Sequence, residues 1–132
     1  MKNELSVKEK GLTSFSVKAR FKSFRYAFDG LISFFDAQHN AVIHLGMTVF
    51  VVLAAVFFDL SRGEWVAVVL ATGLVWTAEL FNTAIEKLCD MVSKDFHPTI
   101  KFVKDIAAAA VLISAIIAIV VGGIVFLPKI FL

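Results

Sequence analysis

The chain has 132 residues and a net charge of +2; 59% of it is hydrophobic and 18% charged, and its mean hydropathy is +0.85. Soluble domains are about 45–50% apolar and about 25% charged, so the composition excludes an ordinary soluble domain, and the near-neutral charge argues against a nucleic-acid partner. The single cysteine, Cys89, excludes an intrachain disulfide.

Residues 1–13 are polar and basic and read as a flexible tail, without the apolar segment of a cleavable leader. From Ser14 to about residue 36, Phe21, Phe24, Phe28, Leu31 and Phe35 recur at three- and four-residue steps, with Lys18, Lys22, Arg25 and Asp29 on other faces. That spacing predicts an amphipathic helix lying on the membrane surface. Three uncharged runs follow. They predict spanning helices over about 40–60, 64–92 and 102–128, the last being the clearest. Ser61-Arg62-Gly63-Glu64 reads as a tight connection between the first two, and residues 93–99, with Pro98, as the second connection. Residues 14–132 thus form a single membrane domain of all-α class.

Basic residues set the expected sidedness. Lys2, Lys8, Lys10, Lys18, Arg20, Lys22 and Arg25 precede the first span, and Lys87, Lys94, Lys101 and Lys104 flank the second connection; only Arg62 and Lys129 fall on the other side. The N-terminus is therefore expected in the cytoplasm and the C-terminus outside, in a multi-pass membrane protein.

The second span ends in TAELFNTAIEKLCD. At 100° per residue, Glu79, Asn82, Glu86 and Asp90 fall within an arc of about 80°, and Glu79 lies roughly 21 Å past Trp65 along the axis. A carboxylate at membrane depth costs about 2.5–3.5 kcal/mol at the bilayer centre, so it needs a partner, a cavity or a cation. No basic residue lies near Glu79 on its own helix; Glu86 and Asp90 have Lys87 and Lys94 within reach. Three acids on one stripe fit either a divalent cation or a proton path. Lys104-Asp105, at the cytoplasmic start of the third span, adds a cation able to meet phosphate, so that stripe and lysine would flank one triphosphate. The phosphate-binding loops of soluble kinases and any His/Cys zinc spacing are absent. His44 reads as a packed or interfacial histidine, His97 as a loop histidine, Trp65 as an interface anchor, Trp76 as a packing residue, and Gly122-Gly123 as helix packing.

The segment from Glu79 to Asp90 resembles the signature E-x-[hydrophobic]-N-[ST]-[AS]-[hydrophobic]-E-x-x-V-D of the small prokaryotic diacylglycerol kinases, a family that includes undecaprenol kinases; Cys89 replaces the usual valine. Lys104-Asp105-Ile106-Ala107 and the alanines after it resemble the family's second motif, and the likeness covers about residues 18–128. The resemblance implies a homotrimeric bundle of three-span subunits, each with a surface helix, whose sites form between subunits. It also implies transfer of the γ-phosphoryl group of ATP, with Mg²⁺, to the hydroxyl of a membrane lipid, diacylglycerol or undecaprenol. Carried over by position, Glu79 is the catalytic base with Asn82 beside it, and Glu86 is a metal ligand that also serves the nucleotide. Lys104, Asp105 and Tyr26 face the nucleotide, Arg20 matches more loosely, and Asp90 supports the site. In Gln38-His39-Asn40-Ala41-Val42-Ile43-His44, Gln38 stands where the family has a second metal-binding glutamate, so one metal contact loses its charge. Asp36 lies two residues away and faces elsewhere on a continuous helix. Two alternatives stay open: a small oligomeric transporter or ion-handling protein, and a catalytically impaired relative of the kinases.

Overall fold

The computed structural model describes residues 16–37 and 39–131. Four helices form: α1 (Val17–Ala37), α2 (His39–Phe57), α3 (Arg62–Val92) and α4 (Pro98–Phe131). There is no strand among the described residues, and α2, α3 and α4 are long and apolar enough to cross a membrane. The expected tail over 1–13 and Gln38 lie outside the described residues.

The chain divides between Asp36 and Ala37 into two compact units. In the first, α1 starts on Ser16, whose Oγ accepts from the Ala19 amide at 3.3 Å. Ser23 and Ser33 donate back to carbonyls four residues earlier, and Lys22 sits 5.6 Å from the Tyr26 ring centroid.

In the second unit, α4 is the main packing partner of α3 and α2 makes the smaller contact. The turn from α2 to α3 is closed by hydrogen bonds at both helix ends. Asp59, at φ 49°, takes the left-handed position usually held by glycine. The Leu60 amide reaches back to the Ala55 carbonyl at 3.1 Å, and the Asp59 amide to Val56 at 3.2 Å. Ser61 then caps α3 in a capping box: its amide donates to Glu64 Oε2 at 2.7 Å, and its Oγ accepts from the Glu64 amide at 3.5 Å. The segment 61–64, expected as connection, is therefore the helix start. Its charges lower local hydropathy, but its S-x-x-E spacing satisfies the orphan amides. Lys129 Nζ, 3.3 Å from Glu64 Oε2, ties the end of α4 to this same point.

Ala55, Leu60, Val68 and Val125 are buried here, with Trp65, Phe58 and Phe126 packed around them. Trp65 thus joins a core cluster inside the chain. Within the chain, a Cβ at Gly122 would touch nothing, and one at Gly123 would meet only the Leu127 side chain at 3.8 Å.

At the other end, His97 caps α4. Its Nδ1 accepts from the Thr99 amide at 3.2 Å, and Pro98 occupies the first helical position, where no amide is needed. This starts α4 ahead of the expected residue 102. Only 11% of the apolar window in α2 and in α4, and 17% of that in α3, is buried within the chain. The rest is left for lipid or for neighbouring subunits, as the composition requires.

Candidate active site

The buried face of α3 runs through Val68, Ala71 and Val75 to Glu79. These steps of three, four and four residues put a carboxylate on the face that packs against the bundle, and Glu79 is only 6% exposed. Its partner comes from α2: His44 Nε2 lies 2.7 Å from Glu79 Oε1. The second oxygen, Oε2, has no hydrogen bond among the described residues. His44 is held in turn. Thr48 Oγ1 donates to the His44 carbonyl at 2.7 Å, which leaves its lone pairs for the indole Nε1–H of Trp76, at 2.9 Å. The Trp76 ring meets the His44 ring edge-on, with centroids 6.2 Å apart. Sequence reasoning missed this partner. The register between α2 and α3 is a tertiary fact, and the only available signal was an ionisable ring placed inside an uncharged span.

One turn further on, Asn82 Nδ2 donates to Glu86 Oε1 at 3.1 Å. A carboxylate can only accept, so the amide oxygen points the other way, and Asn82 Oδ1 is buried without a partner among the described residues. No three His, Cys, Asp or Glu side chains among the described residues cluster as metal ligands. Mg²⁺, however, takes hard oxygens and usually binds through one or two carboxylates plus substrate phosphates. The Glu86 carboxylate fits such a partial shell, and the orphaned Asn82 oxygen, turned away from it, is a separate hard acceptor one turn earlier.

At the end of the stripe, Lys104 Nζ of α4 lies 2.6 Å from Asp90 Oδ1 of α3, and Glu86 is near enough for its charge to act on the same ammonium. Stripe and lysine are thus brought together, as expected. Asp90 takes its contact from α4 and not from Lys87 or Lys94 on its own helix. Asp105 is not part of the stripe: it pairs with Lys101 one turn earlier on α4, and both are exposed. Tyr26 and Arg20 belong to the first unit.

Beside His44, the partner of Glu79, opens an apolar cavity of about 470 Å³ between α2, α3 and α4. His44, Thr48 and Trp76 line one end and Phe58, Phe126 and Ile130 the other, a reach of roughly 21 Å along α2. Its polar groups are thus gathered next to the buried carboxylate.

Comparison with known proteins agrees with this picture. The sequence pattern of the family described as prokaryotic diacylglycerol kinase matches residues 25–126. An undecaprenol kinase of Bacillus subtilis (strain 168) is 36% identical over 109 residues, spanning 83% of this chain and 89% of that protein. A diacylglycerol kinase of Synechocystis sp. is 41% identical over 107 residues, 80% of this chain and 61% of its own length. A diacylglycerol kinase of Helicobacter pylori (strain ATCC 700392 / 26695) is 32% identical over 108 residues, 80% of this chain and 83% of its own length. The matched stretch contains both polar motifs, all of α2 and α3 and most of α4, and the chain belongs to the prokaryotic diacylglycerol kinase family of membrane lipid kinases.

Proposed function

We propose that this lipid kinase transfers the γ-phosphoryl group of ATP to the hydroxyl of diacylglycerol or undecaprenol at the cytoplasmic edge of the bacterial inner membrane. One observation carries the reading: a buried carboxylate, Glu79, is hydrogen-bonded to His44, which lines the polar end of an otherwise apolar cavity between membrane-spanning helices. An amphiphile suits that arrangement, with its hydroxyl beside the acid and its chain in the groove.

Glu79 Oε2 accepts the hydroxyl proton as the lipid oxygen attacks phosphorus. Glu86 would hold Mg²⁺, with Asn82 Oδ1 as a further hard oxygen near it, and the ion when bound would neutralise charge on the nucleotide phosphates. Lys104 exchanges Asp90 for a phosphate oxygen, and Asp90 holds the ammonium ready until then. By resemblance to the family's motifs, Asp105, Tyr26 and Arg20 are assigned to the nucleotide and Gln38 to the metal. The apolar surface left by each span supports a homotrimer, with α1 as an amphipathic helix on the inner membrane surface. Basic residues before α2 and around the second connection support a cytoplasmic N-terminus and an external C-terminus. Kinase membership displaces the ion-handling alternative.

The test is ATP- and Mg²⁺-dependent phosphorylation by purified protein in detergent micelles, with diacylglycerol and undecaprenol offered separately and Glu79→Gln as control. Product on one lipid, lost in the control, names the substrate. If folded protein makes no product on either lipid and Gln38→Glu restores none, the reading fails.

A further inference from the structure

His44 has no part in the chemistry above, although it touches the proposed base. We infer that His44 is a positioning residue: its Nε2–H, donated to Glu79 Oε1, fixes the carboxylate so that Oε2 faces the lipid hydroxyl. The inference rests on the lipid-kinase reading and adds to it the source of the base's orientation.

Three observations support it. First, the contact is short, at 2.7 Å, and joins helices whose residues are 35 apart in sequence. A carboxylate on a flexible side chain within an apolar bundle has no other hydrogen bond among the described residues to choose its rotamer. Second, the histidine is itself restrained from two sides, by the Trp76–Thr48–His44 hydrogen-bond chain at its backbone and by the Trp76 ring at its face. Such layered support is what holds a reacting group within tolerance. Third, His44 lines the apolar cavity and contacts Glu79, so it stands where a chain in the groove gives way to a polar head.

The tautomer follows from the role. An ionised carboxylate only accepts, so Nε2 must carry a proton. The proton lost by the lipid goes to Glu79 Oε2, and His44 exchanges none.

Merely gluing α2 to α3 is the structural alternative, and two conservative variants separate it from positioning. In His44→Gln the amide nitrogen reaches the place of Nε2 and keeps the donor; in His44→Asn it reaches only the place of Nδ1. Both remove the ring, and neither side chain titrates. With purified protein, Mg-ATP and the preferred lipid, we expect His44→Asn to lose about 10- to 100-fold in kcat, the penalty for a slightly misplaced group. KM for ATP should stay unchanged, and His44→Gln should recover most of kcat. Equal kcat in the two variants, or a loss carried by KM for ATP, overturns the inference. The ¹⁵N spectrum of ring-labelled histidine in the wild-type protein is independent of variant folding and of turnover. It should show a protonated Nε2 at His44 and a changed signal in Glu79→Gln. An unprotonated Nε2 refutes the donor role. If the wild type phosphorylates no lipid, the kinase reading has failed and the spectrum still reports on the pair.

Discussion

Replacing Glu79 by glutamine should damage catalysis while leaving the fold intact or firmer. Glu79 sits 17 residues after the start of α3 and 13 before its end, roughly 26 Å and 20 Å along the axis. If α3 crosses a hydrocarbon core of about 30 Å from its first turn, the carboxylate lies beyond the midplane but still inside. A charge at the centre costs about 2.5–3.5 kcal/mol, and less towards the interface. The hydrogen bond from His44 offsets only part of this, since interhelical bonds in membranes average about 0.6 and reach about 1.7 kcal/mol. Glutamine keeps an oxygen for the His44 donor and removes the charge, so the melting temperature in detergent should hold or rise. Loss of a general base costs about 10²–10⁴ in rate, or roughly 2.7–5.4 kcal/mol of barrier. Glu79→Ala should lose the same rate and also melt lower, because it strands the His44 N–H. Initial rates at saturating Mg-ATP, with thermal unfolding of the same samples, would check this. The reasoning is refuted if Glu79→Gln keeps more than about a tenth of wild-type kcat, or if its lost activity tracks a lowered melting temperature.

Two further outcomes follow from the geometry. Lys104→Met should raise KM for ATP about tenfold or more, the cost of losing a charge-assisted contact, with little effect on melting because its Asp90 partner is exposed; steady-state kinetics over ATP concentration would show it. At the α2–α3 turn, Asp59→Gly should keep or raise the melting temperature, whereas Asp59→Val should cost about 1–2 kcal/mol, since a β-branched residue tolerates φ 49° poorly; equal unfolding curves for the two would refute the turn argument.

The three spans were legible because a long uncharged run has few other fates, and the stripe on α3 because helical geometry places Glu79, Asn82, Glu86 and Asp90 without tertiary knowledge. Helix starts were less so. Hydropathy registers the charges of Arg62, Glu64 and Lys101 but not the hydrogen bonds by which Ser61 and His97 begin helices beside them. The family's second motif groups Asp105 with Lys104. Neighbours on a helix point about 100° apart, and the structure turns Lys104 to Asp90 and Asp105 to Lys101. His44 lay out of reach for a different reason: local periodicity fixes a residue's face but not the level at which two helices meet.

That register explains how α3 can carry Glu64, Glu79 and Asp90 through an apolar bundle. Glu64 meets Lys129 of α4 at one end, Glu79 meets His44 of α2 in the middle, and Asp90 meets Lys104 of α4 at the other end. These levels are spaced by roughly 22 Å and 16 Å along the axis. These three are answered from a neighbouring helix, as a medium without water demands, while Glu86 takes its hydrogen bond from Asn82 on α3 itself. Among the described residues one side-chain acceptor fully sealed from solvent lacks a partner, Asn82 Oδ1, and it lies between Glu79 and the Glu86–Asp90–Lys104 end. Leaving a buried acceptor open costs about 1–3 kcal/mol, a cost that the free bundle bears and that a cation or substrate at that point would remove. The same oxygen should therefore couple ligand binding to stability: Mg-ATP should raise the melting temperature of the wild type, and Asn82→Leu should melt higher without ligand yet gain less from it.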